Sequence, residues 1–577
     1  MTGHDRANGS SSHIHIRLGR RTLLRRGAAS GAAIALGALL AACGGGSAAT
    51  DTPKPAASSV TGGAPTTAPT GATNVAPAAT VAGNAATTAP NAGTPKKGGT
   101  IKAEINSDVQ NLDPMPSTLL VDRQVLYNIY DSLVAIDKDL KIIPSLAESW
   151  QTPDPKTYIF KLRQGVKYHD GTDFDAASVK WNIERYLTDK KSLRGPEIGF
   201  VQTVEVMDPA TVKFNLKAPF APLLANLVDR AGMMVSQKAA EAGGADFTRK
   251  PLGAGTGAFK FVEWVKDDHI TLERNPTYWK KDAGGTALPY LDKVTIRPIV
   301  DATVALTNVK TGDIDVSHYL PAKDYATVKA GKEIILQETT GLGYASIALN
   351  VRDEPFNKKE LRQAFAEALD RDQLLKTIFF NVGKPAYSAF PPSNFAHDPN
   401  FKPYTGSATK AKEYLKAGGK PDGFTCEMKI RSGDTETSQL AQLVKDQVAK
   451  AGITMNLVQI DYPTLVADQQ AGKYQANLTG WSGRIDPDGN VYNQLHTGTP
   501  NNLYSNPQVD DLLDRARATS DQAQRKELYQ QLQKLVADDA PTVYYQHPLS
   551  FLLARPAVQG MVLYPDAIMR FETGWLR

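Results

Sequence analysis

The residues best placed to do chemistry lie together in the segment Trp481–Asn490, WSGRIDPDGN. Arg484 offers a planar fork of donors to a carboxylate or phosphate, Asp486 and Asp488 offer acceptors to a cation, and Trp481 offers a broad apolar face. Two carboxylates at i and i+2 suit acid–base work or the start of a calcium loop. The calcium pattern then breaks, because its sixth position is Val491 rather than glycine and its twelfth is Thr497 rather than glutamate. Pro487 and Gly489 mark a turn, so bracing of the loop competes with any chemical role for both aspartates. No hydrolytic nucleophile is visible, since GWSG at 480–483 does not complete a G-x-S-x-G elbow. His169, His269, His318, His397, His496 and His547 are scattered without zinc spacing. GAGTGA at 253–258 fits the dinucleotide fingerprint in letters only: Arg249, Lys250 and Pro251 stand where a strand is required, and the strand-like FKFVEWV follows where a helix is required. These residues assign no catalytic group, no metal and no cofactor.

The chain of 577 residues, 41% hydrophobic and 22% charged, is too long for one core and predicts two to four domains. Its net charge of +5 points to an anionic partner only until it is located. Residues 1–42 hold six arginines and one aspartate, which accounts for all of it, so a nucleic-acid surface is excluded on charge. That same stretch is a basic region, GRRTLLRRG, followed by an Ala/Gly-rich apolar run from Gly27 to Ala42, the layout of an export signal. The run's 16 residues fall short of a membrane span. Arg20-Arg21 is similar to a twin-arginine signal. Leu40-Ala41-Ala42-Cys43 resembles the lipobox of bacterial lipoproteins, which makes Cys43 the expected lipidation site. One acyl chain holds a protein only marginally, but the triple acylation that this resemblance implies makes a stable anchor at the outer face of the cytoplasmic membrane, in the periplasmic space or on the cell surface. Residues 43–95 are rich in Ala, Thr, Pro and Gly, too poor in large apolar side chains to pack, and read as a disordered tether. With Cys43 lipidated, Cys426 is left as a lone buried thiol.

From Lys96 onward, elements that can position a site appear. Strands are expected at 100–105 and 157–163, and as a hairpin of VQTVEVM and TVKFNLK around Asp208-Pro209-Ala210. Helices are expected near 119–130 and at 175–187. Farther on, a strand at 424–430, a helix at 435–450, a strand at 453–460, a helix at 462–471 and a strand at 474–480 make a βαβαβ run and hence a partly parallel sheet. Ligands gather beyond the carboxyl ends of such strands, where 481–490 lies.

Ordered motifs along this region resemble the solute-binding proteins of peptide-type ABC importers, the dipeptide- and oligopeptide-binding group. They include NLDP (111–114), YDSLV (130–134), PSLAESW (144–150), TYIFKLRQGVKYHDG (157–171), GTGAFKF (255–261), LERNPTYW (272–279), RQAFAEALDR (362–371) and GWSGRIDPD (480–488). The resemblance implies an α/β, bilobed, type II periplasmic-binding-protein-like architecture. Its parts would be a discontinuous first lobe at 96–129, 237–340 and 541–577, a smaller inserted domain at 130–236, and a second α/β lobe at 341–540, joined by a two-crossing hinge. It implies a monomeric, non-enzymatic receptor that closes on a peptide or related small solute and delivers it to the permease subunits and ATPases of an importer. Peptide binders of the family carry an aspartate shortly after GW that pairs with the ligand's α-amine. Arg484 stands at that place here, and Asp486 takes the role if the loop is shortened. Trp481, Tyr344, Asn350, Asn111 and Phe390 are further expected ligand contacts by the same resemblance. Two other readings stay open: the same fold binding a non-peptide carboxylate such as an opine or sugar acid, and an extracellular hydrolase.

Overall fold

The computed structural model describes residues 93–499 and 502–577; Cys43, the export signal and most of the tether fall outside the described residues. TIKAEI forms a strand at its expected limits, Thr100–Ile105, and its apolar side chains are fully buried. It pairs in parallel with Lys293–Pro298 inside a seven-stranded sheet. That sheet also takes in Phe259–Val265, His269–Arg274, Val316–Ser317, Ile335–Thr340 and, from the far end of the chain, Leu549–Ala554. It forms the first lobe.

A four-stranded antiparallel sheet makes the small domain, built from Ala147–Asp154, Thr157–Leu162, Val201–Asp208 and Thr211–Leu216. The expected hairpin is present, its turn closed by the Asp208 carboxylate accepting the Ala210 N–H at 2.8 Å. Helix Ala176–Thr188 starts at Asp175, whose side chain accepts the Ser178 N–H at 2.8 Å. Its Val179, Ile183 and Tyr186 are fully buried, each contributing roughly 1.5–3 kcal/mol.

The second lobe is a six-stranded sheet in the order Ile453–Ile460, Phe424–Arg431, Ala476–Trp481, Tyr344–Leu349, Thr542–His547, Lys384–Pro385. Its first three strands are the parallel βαβαβ run. Helix Thr435–Ala451 is capped by Asp434 and ends at Gly452, where φ is +105°, the left-handed turn that glycine adopts most readily.

The chain crosses between the two large sheets twice, at Gly341–Gly343 and at Pro548. The crossings touch, with Gly341 N–H donating to the Pro548 carbonyl at 3.2 Å. Because Thr542–His547 is paired within the second sheet, the return crossing falls at Pro548, later than the expected 541. A side chain at Gly343 would place its Cβ 2.1 Å from the Trp481 carbonyl oxygen, so the first crossing lies directly against the loop after Ala476–Trp481. GAGTGA is likewise a close approach, packed on the end of helix Leu120–Ile129 and leading into a strand; the dinucleotide context is absent.

Candidate functional site

A cavity of about 330 Å³ is walled by all three parts of the fold. The antiparallel neighbours Tyr344–Leu349 and Ala476–Trp481 supply its floor, where Tyr344, Ser346 and Ala348 alternate onto one face and Thr479 and Trp481 lie opposite them. Helix Tyr462–Gln470 adds Tyr462, Val466, Gln469 and Gln470, the spacing of one helical face. The first lobe contributes Thr118–Leu120, and the small domain contributes Arg194, Glu197 and Arg230.

The charged side chains on this wall are held in a network. Arg194 donates from Nη1 to Glu197 Oε1 at 2.8 Å and from Nη2 to the Ser117 carbonyl at 3.1 Å. Arg230 donates from Nη1 to the same carbonyl at 2.9 Å. Burial, with Arg194 alongside, lowers Arg230 to about 10. Asp229 sits behind them with Arg123 Nε at 3.1 Å, and Arg484 of the second lobe brings its Nε to 3.0 Å. Burial pushes Asp229 up, but Arg123, Arg484 and Arg230 together outweigh it and hold this carboxylate well below its ordinary range. Arg123 also donates to Ser482 Oγ at 3.3 Å, a second link between lobes.

The expected contacts separate on this geometry. Trp481 and Tyr344 line the cavity, Trp481 fixed by its Nε1–H to the Gly489 carbonyl at 3.0 Å. Arg484 stands one layer behind it, 4.7 Å from the Trp481 ring and turned toward Asp229. Asp486 does not face the cavity: Arg525 grips it through Nη2 at 2.6 Å and Nη1 at 2.8 Å, which uses the carboxylate as a brace. Asp488 is braced in the same way by Arg517 at 2.6 and 2.9 Å. Asn350 is buried and donates to the Gly472 and Tyr474 carbonyls, closing a turn rather than meeting solute. Phe390 is buried in the helical core of the second lobe, 5.3 Å from the Tyr529 ring. Asn111 does not line the cavity but a neighbouring groove of about 790 Å³, which shares Tyr462 with it and also takes in Arg431. Arg194, Arg230, Asn493 and Gln494 line the cavity without having been expected from sequence. Arginines in the ordinary contexts SLRGP and VDRAG carry no motif that would single them out.

Among the described residues no cluster of His, Cys, Asp and Glu could hold a metal ion, and no helix is long and apolar enough to cross a membrane.

The profile of the bacterial extracellular solute-binding proteins, family 5, matches residues 141–502. The chain belongs to this family. It is a peptide-type ABC importer solute-binding protein with the type II periplasmic-binding-protein fold. The glutathione-binding protein GsiB of Shigella boydii is 30% identical over 482 residues, covering 81% of this chain and 93% of that protein. GsiB of Pectobacterium atrosepticum is 29% identical over 482 residues, covering 81% and 92%. Among solved structures, DppA of Helicobacter pylori in complex with the peptide STSA superposes with a TM-score of 0.76 at 27% identity, covering 83% of this chain and 98% of that one. AgaA of A. tumefaciens in complex with agropinic acid gives 0.76 at 29% identity, covering 83% and 99%. This family 5 protein therefore shares its fold with proteins solved in complex with a peptide and with agropinic acid.

Proposed function

We propose that this receptor captures a short peptide or a solute of similar size between its lobes and hands it to an ABC permease, held at the outer membrane face by lipid on Cys43. One observation carries the reading: the cavity takes its walls from the first lobe, the small domain and the second lobe, so it is complete only when these parts meet. A solute that touches all three walls favours the closed state by its differential affinity, and the closed state is the form a permease can distinguish. A cavity of about 330 Å³ lies at the small end of ligand sites, in keeping with a few-residue peptide. The relatives named for glutathione and the DppA complex with a tetrapeptide support that size.

The test is to strip residues 96–577 of ligand, incubate them with a peptide mixture, and analyse the retained fraction by mass spectrometry. Intact short peptides held at one per protein are expected. Accumulating cleavage products would replace the receptor with a hydrolase. The anchor is checked apart from this, since Cys43→Ala should move the full-length protein from the membrane pellet to the soluble fraction; retention in the pellet would remove Cys43 from that role.

A further inference from the structure

We propose that Arg194 and Arg230 form a two-arginine anchor for a carboxylate on the bound solute, an inference that rests on the receptor reading above. Arg194 stands just ahead of the short helix Gly195–Ile198, and Arg230 begins the single turn Arg230–Gly232. The Ser117 carbonyl accepts from both, at 3.1 and 2.9 Å, and this shared acceptor sets the two guanidiniums side by side at 3% and 2% exposure. Like charges held together away from water repel strongly unless anions answer them. The protein supplies too few. Arg123, Arg194, Arg230 and Arg484 gather around Glu197, Asp229 and Asp122, four cations to three carboxyls, and burial raises Asp122 toward its neutral form.

A second observation points the same way. The Nε of Arg194 and the Nε of Arg230 are both buried with no acceptor among the described residues. A buried N–H without a partner is costly; both side chains line the cavity, and although these two Nε atoms are sealed from it they leave the paired guanidiniums short of compensating acceptors. A carboxylate brings two acceptor oxygens and the missing charge together, the match for which guanidinium geometry is suited.

The opposite wall defines the rest of the solute. Helix Asp488–Leu495 presents Asn493 and Gln494, and Asn493 Oδ1 and both polar atoms of the Gln494 amide are buried without partners. Both residues line the cavity as neutral amides, so this wall carries polarity without charge. A cationic end finds no free carboxylate in the cavity: Glu197, the acidic residue of its lining, stands on the arginines' wall and already accepts from Arg194 at 2.8 and 3.1 Å. The solute class is thus an acid at one end and neutral and polar at the other. A peptide C-terminus and a sugar acid share that chemistry.

The probes are a pool of tripeptides with free C-termini, the same pool with C-terminal amides, and gluconate, each offered to the full-length protein and quantified by mass spectrometry of the retained fraction. The free-acid pool should be retained at least roughly thirtyfold better than the amidated pool, and Arg230→Gln should erase that ratio. Because the amidated ligands make the comparison on the unaltered protein, the result does not depend on the buried variant folding. Equal retention of acid and amide overturns the arginine anchor and leaves the peptide receptor standing. Retention of gluconate with neither pool supports the anchor and overturns the peptide reading, and retention of none overturns both.

Discussion

Arg484 of the second lobe closes onto Asp229 at the end of the small domain, Nε to Oδ2 at 3.0 Å, although 254 residues separate them in the chain. The carboxylate is shared with Arg123 and Arg230, so one buried anion ties both sides of the cleft. Arg484→Ala should leave each lobe folded, since Asp229 keeps two guanidiniums. Losing a desolvated partner costs about 2 kcal/mol at the low end of such pairs, here drawn from the closed state. The ligand-free variant is expected to have a larger radius of gyration in small-angle scattering and to bind solute tens of fold more weakly. It should still prefer acids to amides; loss of that preference would show that Arg484 itself touches the ligand.

Asp486 is a structural brace, and its removal should read out as stability. Asp486→Ala leaves Arg525 buried without its carboxylate, a loss of about 3–5 kcal/mol. A lowered Tm with unchanged preference among peptides is expected. An unchanged Tm with binding abolished would return Asp486 to the amine-anchoring role.

Glu104 lies fully buried in strand Thr100–Ile105, its Oε2 accepting from Ser317 at 2.8 Å with His318 Nδ1 at 3.8 Å. Burial pushes its carboxyl up to about 8, against the pull of Ser317 and of Arg431. The folded protein thus holds a proton that the unfolded chain releases near pH 4.5, the ordinary value for a glutamate. Stability from this group is fully present below pH 4.5 and is lost as pH rises to about 8, on the order of 5 kcal/mol in all. Glu104→Gln should flatten that slope, measured as urea midpoints between pH 5 and 9. An identical slope in the variant would assign the dependence to another group.

Gly343→Ala brings a Cβ within 2.1 Å of the Trp481 carbonyl, a backbone atom that no rotamer change can move. A loss of about 2 kcal/mol or more is expected, with weakened solute binding because the loop bearing Trp481 must shift. Gly195→Ala serves as the control, having nothing within 4 Å of its added carbon and no positive φ. Equal effects of the two would mean the crossing tolerates displacement.

Cys426, 2% exposed in strand Phe424–Arg431, has its thiol raised to about 12 by burial. Labelling by a thiol reagent at pH 8 should be slow in the native protein and fast in denaturant. Rapid native labelling would place that strand edge in solvent.

Local pattern made much of the fold legible. Ile453–Ile460 and Thr100–Ile105 begin and end where their apolar alternation and glycine punctuation predict, and the parallel order follows from the helices between strands. The limit was reach. The loop after Trp481 was correctly seen at a strand end, but its partners are remote: Arg525 for Asp486 lies 39 residues on, and Asp229 for Arg484 lies on the far side of the cleft. Arg194 and Arg230 meet only through Ser117, at separations of 77 and 113 residues, and no local spacing encodes such a meeting. Asn350 was expected at the ligand because it ends a cleft strand; position along a strand does not reveal that its amide turns away to the carbonyls of a neighbouring loop.

Leu549–Ala554 sits inside the first sheet, bonded to Ile335–Thr340 on one side and to Val316–Ser317 on the other. As the chain emerges from the ribosome, the second lobe has all six of its strands by His547, while the first lobe still lacks the strand that joins Ile335–Thr340 to the rest of its sheet. The lobe begun first is therefore finished last. A chain cut short before Leu549 would leave Ile335–Thr340, the outermost strand of the sheet, without its one partner and would uncover Val316–Ser317 as well, both templates for pairing with another molecule. Completion of synthesis is thus the step that seats Leu549–Ala554 between those two strands and closes the first sheet.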